Sequence, residues 1–259
     1  MRSIHKSLVS RVWDILPSKV KKSAQFIVDY GYAYPLDVER EEQIFYLKYL
    51  REGMIVFDVG ANIGEITLLF SRFVGENGKI FSFEACSTTY KKLESICHQS
   101  GHNNITLNNL AVSDTIGYVD FYVYPDENSG WNSLAKRPLE NYGINIKTFR
   151  CDKVQSITID RFCEENNLNH IDLLKIDVEG AEYQVLLGAE QMLRQKAIKC
   201  CVFEFGTTTF DMGNTPVKIE NYLTHLGYSI RNIVPGNRPF PGRKNASTAQ
   251  FSMHVAEPL

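Results

Sequence analysis

Hydrophobic and polar positions alternate along this chain of 259 residues in two distinct ways. Between stretches with apolar residues at helical spacing lie short apolar runs of strand type. This alternation is typical of an α/β fold, in which helices cover buried parallel strands. The final runs, at 228–234 and 250–255, are predicted to pair as a closing antiparallel hairpin. The predicted parallel strands are 54–57, 79–83, 105–112, 171–176 and 198–205.

The predicted organisation is a helical cap followed by one α/β domain. Residues 1–52 form the expected cap, because 39–50 carry apolar residues at helical spacing and Gly53 follows as a helix stop. Residues 53–259, in a chain that is 44% hydrophobic, suit one large core. Two connections, 125–153 and 236–247, are long and polar, and we expect both to border an acceptor site.

Composition and charge exclude several classes of protein. With a net charge of -2 there is no overall basic field, so no nucleic-acid partner is expected. Six cysteines without a C-x-x-C pair favour neither zinc nor disulfides and fit a reduced, cytoplasmic protein. No transmembrane segment or signal peptide is predicted. The apolar face within 1–22 is compatible with weak membrane-surface contact, packing on its own domain, or a homo-oligomer.

The most informative stretch is the glycine-bearing turn within 54–67. A strand leads to Asp58, and the chain passes through Gly60 and Gly64 into a helix. Asp58 would repel a pyrophosphate but suits a cationic amine or ordered water, which favours S-adenosylmethionine over a dinucleotide. The alternative is a similar turn in an unrelated α/β protein. The predicted cofactor contacts here are Asp58, Gly60, Ala61, Asn62, Gly64 and Thr67.

The next two predicted strands bring further cofactor candidates to the same edge. Glu84 ends the second strand about 20 residues beyond the turn, where a carboxylate accepts hydrogen bonds from ribose hydroxyls. The third strand is expected to end beside adenine, with Asp114 accepting from the exocyclic amine. The alternatives are a solvated glutamate and a plain turn. The predicted contacts are Glu84, Ala85, Asn109, Ala111, Ser113 and Asp114.

A second informative stretch, 171–183, predicts a buried strand that delivers Asp177 and Glu179 to this edge. Carboxylates are costly there unless they serve a site or pair with each other, so a structural ion-pair cluster is the alternative. We predict both as general-base candidates, with Asp177 also contacting the cofactor. Together with Glu204 they offer oxygen ligands that suit Mg²⁺, but no distinctive metal motif is present and no metal is expected. The predicted acceptor contacts are Trp131, Ser133, Glu204 and His225.

These motifs together resemble the FkbM-type methyltransferases, class I enzymes that depend on S-adenosylmethionine. The resemblance covers about 39–205 and rests on 57–64, 83–84, 111–114 and above all 175–182, Lys-Ile-Asp-Val-Glu-Gly-Ala-Glu. It implies a Rossmann-like α/β fold with a mostly parallel seven-stranded sheet and an antiparallel C-terminal hairpin. It also implies O-methylation of a hydroxyl on a sugar, glycan or other natural product. The matched positions are Asp58, Gly60, Asn62 and Gly64 for the cofactor, Glu84 for its ribose and Asp177 for the methyl region.

The expected reaction is a direct displacement, in which an acceptor hydroxyl attacks the methyl group in line. Alignment and a base, Asp177 or Glu179, are then the protein's main contributions. We expect a small-molecule or carbohydrate acceptor, which no motif identifies further. The alternatives are a nitrogen or RNA acceptor, a nucleotide-binding oxidoreductase of similar fold, and a cofactor-binding protein without activity.

Overall fold

The computed structural model describes residues 37–142 and 148–259. The chain divides into two compact units, 1–41 and 42–259. The predicted amphipathic face within 1–22 lies outside the described residues, so the helical cap stays a prediction. No helix in the described ranges is long and apolar enough to cross a membrane.

Ten strands in the described residues form two sheets. The larger has the order β3-β2-β1-β7-β8-β10-β9, and the smaller has the order β4-β6-β5. In the larger sheet β10 runs antiparallel to both neighbours, while the other pairs from β3 to β8 are parallel. The strands are β1 (Ile55–Val59), β2 (Lys79–Phe83), β3 (Ile105–Asn108), β4 (Ala111–Val112), β5 (Gly117–Val123), β6 (Arg150–Ile157), β7 (Leu173–Ile176), β8 (Cys201–Phe205), β9 (Tyr228–Asn232) and β10 (Ser252–Pro258).

Helices connect the strands of the larger sheet, as the hydrophobic periodicity predicts. One well-defined start is Thr215, whose side chain accepts from the Lys218 amide just before Pro216 at the first helical position. The helices are α1 (Asp37–Tyr49), α2 (Glu65–Val74), α3 (Ser87–Ser100), α4 (Ile159–Glu165), α5 (Glu182–Leu187), α6 (Glu190–Arg194), α7 (Thr207–Asp211) and α8 (Pro216–His225). Two 3₁₀ turns, Asp126–Trp131 and Leu139–Tyr142, lie between β5 and β6.

Aromatic side chains pack α4 onto the larger sheet. Phe162 of α4 meets Phe57, Phe81 and Phe83 edge-on, with ring centroids 5.6, 5.4 and 4.8 Å away. Edge-to-face contacts of this kind add to the stabilisation from burial. Buried aromatic packing between α4, β1 and β2 thus supports the strands that lead to the site.

The predicted sheet and closing hairpin are confirmed, whereas two stretches differ from the prediction. The predicted third strand is divided, because the chain leaves the larger sheet after Asn108 and Ala111–Val112 join the smaller one. The polar connection 125–153 ends in β6, which pairs along its whole length with β5. The pattern of β6 is not apolar in alternation, because its less exposed face carries Asp152 and Ser156 beside Val154.

Candidate active site

A pocket of about 770 Å³ opens to solvent at the carboxyl edge of the larger sheet. Val59 pairs with Phe83 on one side and with Ile176 on the other, so these three strands end at one level. Among the predicted site residues, those that line the pocket are Gly60, Asn62, Glu84, Ala85, Ala111, Asp177 and Glu179.

Glu84 lies at one end of the pocket with a fixed carboxylate. Its two oxygens accept from the Asn62 amide at 3.0 Å and the Cys86 amide at 2.8 Å. The Asn109 side chain donates to the Glu84 carbonyl at 2.8 Å and so holds the tip of β2 in place. Burial raises the pKa of Glu84 to about 7. Each carboxylate oxygen keeps a lone pair, so Glu84 is equipped to accept from two ligand hydroxyls.

The two turn glycines are required mainly by contacts within the protein. Gly60 has a φ of 81°, and a Cβ on it would lie 1.8 Å from the Asp177 carbonyl oxygen. Gly64 has a φ of 94°, and a Cβ there would lie 2.5 Å from Leu93 Cδ1 of α3. Gly60 thus lets the β1 turn approach the β7 turn, while Gly64 lets α2 approach α3. Only Gly60 also lines the pocket.

Asp58 lies beneath the pocket instead of in its wall. Its side chain is fully buried, accepts from Thr67 Oγ1 at 2.6 Å and pairs with Lys175 Nζ at 3.2 Å. Lys175 Nζ also contacts Asp177 at 3.3 Å and the Gly60 carbonyl at 3.1 Å. The expected direct contact between Asp58 and a ligand amine is therefore not available, because β1 continues to Val59 and Asp58 is engaged inside it. The ion pair instead fixes Asp177, which does line the pocket.

The Asp58–Lys175 pair makes a testable contribution to stability. We expect Lys175→Ala to lower the free energy of unfolding by about 3–5 kcal/mol, because it leaves the buried Asp58 charge uncompensated. Urea denaturation measures the change. The matched control is Lys153→Ala, which removes a lysine 67% exposed and paired with Asp120, and it should leave the free energy of unfolding nearly unchanged because solvent screens the pair. Equal losses in the two variants would contradict the prediction.

Five other predicted cofactor residues also stand outside the pocket lining. Ala61 packs with Leu93 and Cys97, and Ser113 Oγ donates to Asp114 in an exposed turn. These residues hold the elements that carry the wall. The five are Ala61, Gly64, Asn109, Ser113 and Asp114. Thr67, whose hydroxyl donates to Asp58, lies outside the lining as well.

Three carboxyl groups gather at the other end of the pocket. Asp177 and Glu179 come from the turn after β7 and Glu204 comes from β8, with oxygens all within 4.8 Å of one another. Beside them Glu182 shapes the turn, since its carboxylate accepts from the Val178 and Gly180 amides at 3.2 and 3.0 Å. The prediction that strand ends bring acids together at this edge is confirmed by these distances.

The pKa values of Glu179, Glu182 and Glu204 are raised. Burial, together with the charges of Asp177 and Glu182, raises the pKa of Glu179 to about 8, and Arg137 acts in the opposite direction. Burial likewise raises the pKa of Glu182 to about 7 and that of Glu204 well above its ordinary value. A group of this kind takes up protons near neutral pH and favours an approaching positive charge.

The loop between β5 and β6 adds a residue that the sequence did not single out. Arg137 pairs with Glu179 at 3.2 Å and with Asp211 at 3.4 Å. Of the predicted acceptor contacts, Ser133 Oγ donates to the Glu179 carbonyl at 2.8 Å, and the Trp131 ring lies 5.8 Å from the Arg137 guanidinium. The only sequence signal for Arg137 was the unusual length of its loop.

His225 is not brought to the pocket. It is the exposed last residue of α8, and β9 begins three residues later at Tyr228. Tyr228 pairs with Pro258, whereas the other end of β10, at Ser252, pairs with Phe205 at the carboxyl end of β8. His225 therefore lies toward the opposite edge of the sheet, because α8 runs back across it.

A family model described as the methyltransferase FkbM domain matches residues 58–230, well over half of the chain. The chain belongs to this family. The match extends from β1 to β9, so it contains every carboxylate of the pocket. The resemblance inferred from the sequence motifs is thereby confirmed, and the cofactor of such a domain is S-adenosylmethionine.

Several curated relatives are similar to parts of the chain. The 2-O-methyltransferase NoeI of Sinorhizobium fredii is 26% identical, with 54% of this chain and 58% of that protein covered. The 31-O-demethyl-FK506 methyltransferase FkbM of Streptomyces tacrolimicus is 29% identical, with 54% and 61% covered. The hexuronic acid methyltransferase AglP of Haloferax volcanii is 24% identical, with 71% and 76% covered. The chain thus spans about three-fifths of the length of the first two.

A solved structure, methyltransferase FkbM from Methylobacillus flagellatus KT, is similar to 82% of the chain. The likeness covers 50% of that structure, with 13% identity and a TM-score of 0.47.

The chemistry of the pocket wall fits the cofactor of the family. One end offers Glu84 with free lone pairs, which suits a pair of hydroxyls. The side wall offers Leu110, Val112 and Phe121, which suit a planar ring. The acids at the far end suit a cation. S-adenosylmethionine presents all three of these groups, with the ribose between the adenine and the sulfonium.

Proposed function

We propose that this chain is an S-adenosylmethionine-dependent O-methyltransferase acting on a hydroxyl of a sugar, glycan or other natural product. The observation that carries the proposal is one pocket that is lined both by Glu84 and by the Asp177 and Glu179 carboxylates. The names of NoeI and FkbM, which state O-methylation, support an oxygen acceptor, and the name of AglP, a hexuronic acid methyltransferase, supports a carbohydrate.

In this proposal the chain binds the cofactor from both ends of the pocket. Glu84 accepts from the ribose hydroxyls, while Ala85 and Ala111 border the adenine. The cofactor supplies a methyl group that the positive sulfur already activates. Asp177, held by Lys175, faces the sulfonium and keeps the methyl group aligned with the acceptor.

Glu179 is the general base of the proposed reaction. It lines the pocket, and its pKa of about 8 makes it a stronger proton acceptor than an ordinary carboxylate. Asp177 is 42% exposed and paired with Lys175, which suits it better to an electrostatic role. The acceptor hydroxyl gives its proton to Glu179 as the new bond between oxygen and carbon forms.

The test offers the purified chain and methyl-labelled S-adenosylmethionine to a panel of sugars, glycans, nucleotide-linked sugars and polyketide alcohols. Mass spectrometry then identifies which product gained a methyl group and on which atom. Transfer to oxygen supports the proposal. Transfer only to nitrogen or RNA, or tight cofactor binding with no transfer to any acceptor, would overturn it.

The acid cluster also predicts a difference between cofactor and product. We expect the affinity for S-adenosylmethionine relative to S-adenosylhomocysteine to rise with pH between about 6 and 8, by up to about tenfold per proton released. The sulfonium favours the charged carboxylates, whereas the neutral thioether does not. Both ligands carry the same ribose, so the protonation of Glu84 changes both affinities equally and does not affect their ratio.

Isothermal titration calorimetry in buffers of different ionisation enthalpy counts the released protons. Glu179→Gln should flatten the pH dependence of the affinity ratio, and Glu164→Gln, on the exposed side of α4, should leave it unchanged. Parallel pH profiles for the two ligands in the unmodified chain would refute the prediction.

A further inference from the structure

The segment 129–134 closes one side of the cofactor pocket. Ser129, Gly130, Asn132 and Leu134 all line it. This segment belongs to the loop between β5 and β6 and not to the larger sheet that carries the other walls. Backbone pairing of Ser133 with Tyr122 of β5 and packing of Leu134 against Phe121 and Val123 attach the segment to β5, and polar contacts from the loop add to this attachment.

Two of these contacts end on Glu179. Ser133 Oγ donates to the Glu179 carbonyl at 2.8 Å, and Arg137 Nη1 donates to the Glu179 carboxylate at 3.2 Å. Glu179 itself has a φ of 55°, a left-handed conformation that is uncommon outside glycine. The loop is thus fastened to the residue that we propose as the base.

Arg137 has further contacts, both through its guanidinium and through its backbone amide. Its Nε lies 3.4 Å from the Asp211 carboxylate, and its amide donates to the Tyr124 hydroxyl at 3.2 Å. The guanidinium also stands 5.8 Å from the Trp131 ring, and the Arg137 side chain is only 10% exposed. Because it is shielded from water, its ion pair with Glu179 is stronger than an exposed pair.

We propose that Arg137 is a positioning residue that holds Glu179 as the charged base and latches segment 129–134 across the cofactor pocket, and that the latch opens when Glu179 takes the acceptor's proton. The proposal rests on the proposed function, because it assigns the proton to Glu179. It adds a link between the chemical step and the release of products.

Glu179 takes up the acceptor's proton in the same step in which the methyl group moves to the acceptor oxygen. The acceptor's O–H bond breaks and its proton goes to the Glu179 carboxylate, while the new O–CH₃ bond forms. The S–CH₃ bond breaks, and its electron pair stays on sulfur, which becomes a neutral thioether. Neutral Glu179 no longer pairs with the Arg137 cation, which keeps Asp211 as its partner. Loss of the proton to solvent restores the latch.

The charged groups around Glu179 fix the direction of its pH dependence. Asp177 and Glu182 on its own turn disfavour its charge, as does Glu204 from β8, and Arg137 from the loop favours it. The pKa of Glu179 is about 8, so the ion pair is complete above about pH 8 and is lost as the pH falls through that value. Asp211 from α7 acts on Glu179 through Arg137.

Trp131 provides a readout that needs neither cofactor nor acceptor. The chain has two tryptophans, so Trp13→Phe leaves Trp131 as the single emitter. In this background, we expect the fluorescence to change in one transition centred near pH 8. Glu179→Gln and Arg137→Gln should each abolish the transition, and Arg137→Lys should restore part of it.

Two further variants show whether the fluorescence transition depends on the charge of Glu179 and Arg137 or only on the packing of the loop. Ser133→Ala removes the hydrogen bond to the Glu179 carbonyl, and the fluorescence transition of this variant should keep the same midpoint pH. Arg161→Gln removes an exposed arginine that pairs with Glu164 and Glu165 on α4, and it should behave as the unmodified chain. Circular dichroism and calorimetric binding of S-adenosylhomocysteine verify that each variant is folded.

A transition that persists in Glu179→Gln, or no transition in the Trp13→Phe background, would overturn the latch whatever the acceptor is. A transition with the expected pattern, but without methyl transfer to any acceptor of the panel, would overturn the proposed function and leave the Arg137–Glu179 switch standing. The two proposals therefore fail separately.

Discussion

Glu84→Ala is expected to weaken the binding of S-adenosylhomocysteine by at least about a hundredfold. Two hydrogen bonds from ribose hydroxyls to a charged acceptor contribute roughly 1.5–3 kcal/mol each, and the substitution removes both. It also removes the acceptor for the Asn62 and Cys86 amides, which shape the pocket wall. Isothermal titration calorimetry measures the loss directly.

The pH dependence of the same binding shows whether the Glu84 carboxylate is responsible. Its pKa is about 7 in the free protein, and hydroxyl donors favour the charged form. Affinity should therefore be highest above about pH 7 and fall as the pH drops through that value. Glu84→Ala should lose this dependence, whereas Glu76→Ala, on the exposed turn after α2, should keep both affinity and profile. Full affinity in Glu84→Ala would exclude the ribose assignment.

The sequence predicts the pocket well where strand ends determine it. Buried parallel strands appear as short apolar runs, and their carboxyl ends meet at one edge whatever lies between them. Glu84 and Asp177 each follow such a run directly, and Glu179 comes two residues after Asp177, so their convergence required no knowledge of the loops. The antiparallel hairpin was predictable for the same reason, because β9 and β10 keep an apolar pattern.

The sequence predicts the site less well where the exact end of a strand, or a contact between residues far apart in the sequence, determines which side chain lines the pocket. Asp58 was expected in the wall, but β1 extends one residue further, and Lys175, 117 positions along the chain, takes up its charge. Gly64 was assigned to the ligand, although it is required by Leu93 of α3. Neither Lys175 nor Leu93 is near its partner in sequence, so local pattern does not reveal the contact.

The loop between β5 and β6 was the least predictable part. It has no hydrophobic period, and its function depends on Arg137 reaching Glu179 and Asp211, both far away in sequence. His225 illustrates the opposite error, since it was predicted as an acceptor contact although no strand end carries it. The direction of α8 takes it to the wrong edge of the sheet, which the residue type alone does not indicate.

Glu179→Gln is expected to lower kcat for methyl transfer by about 10²–10⁴-fold, the usual contribution of a positioned general base. The amide has nearly the same shape but does not accept a proton from the acceptor hydroxyl. Affinity for S-adenosylhomocysteine should change only a few-fold, because the neutral thioether interacts weakly with this charge. Single-turnover assays with the first acceptor that the panel identifies measure the chemical step.

Asp177→Asn distinguishes base catalysis from electrostatic alignment. Asp177 is held by Lys175 and faces the sulfonium in our proposal, so this variant should weaken S-adenosylmethionine binding as well as kcat. In Glu179→Gln the loss should instead fall on kcat, and the rising limb of its pH profile, with a midpoint near 8, should disappear. A Glu179→Gln variant that retains this limb would transfer the role of base to another group of the cluster, with Glu204 as the nearest carboxyl on β8.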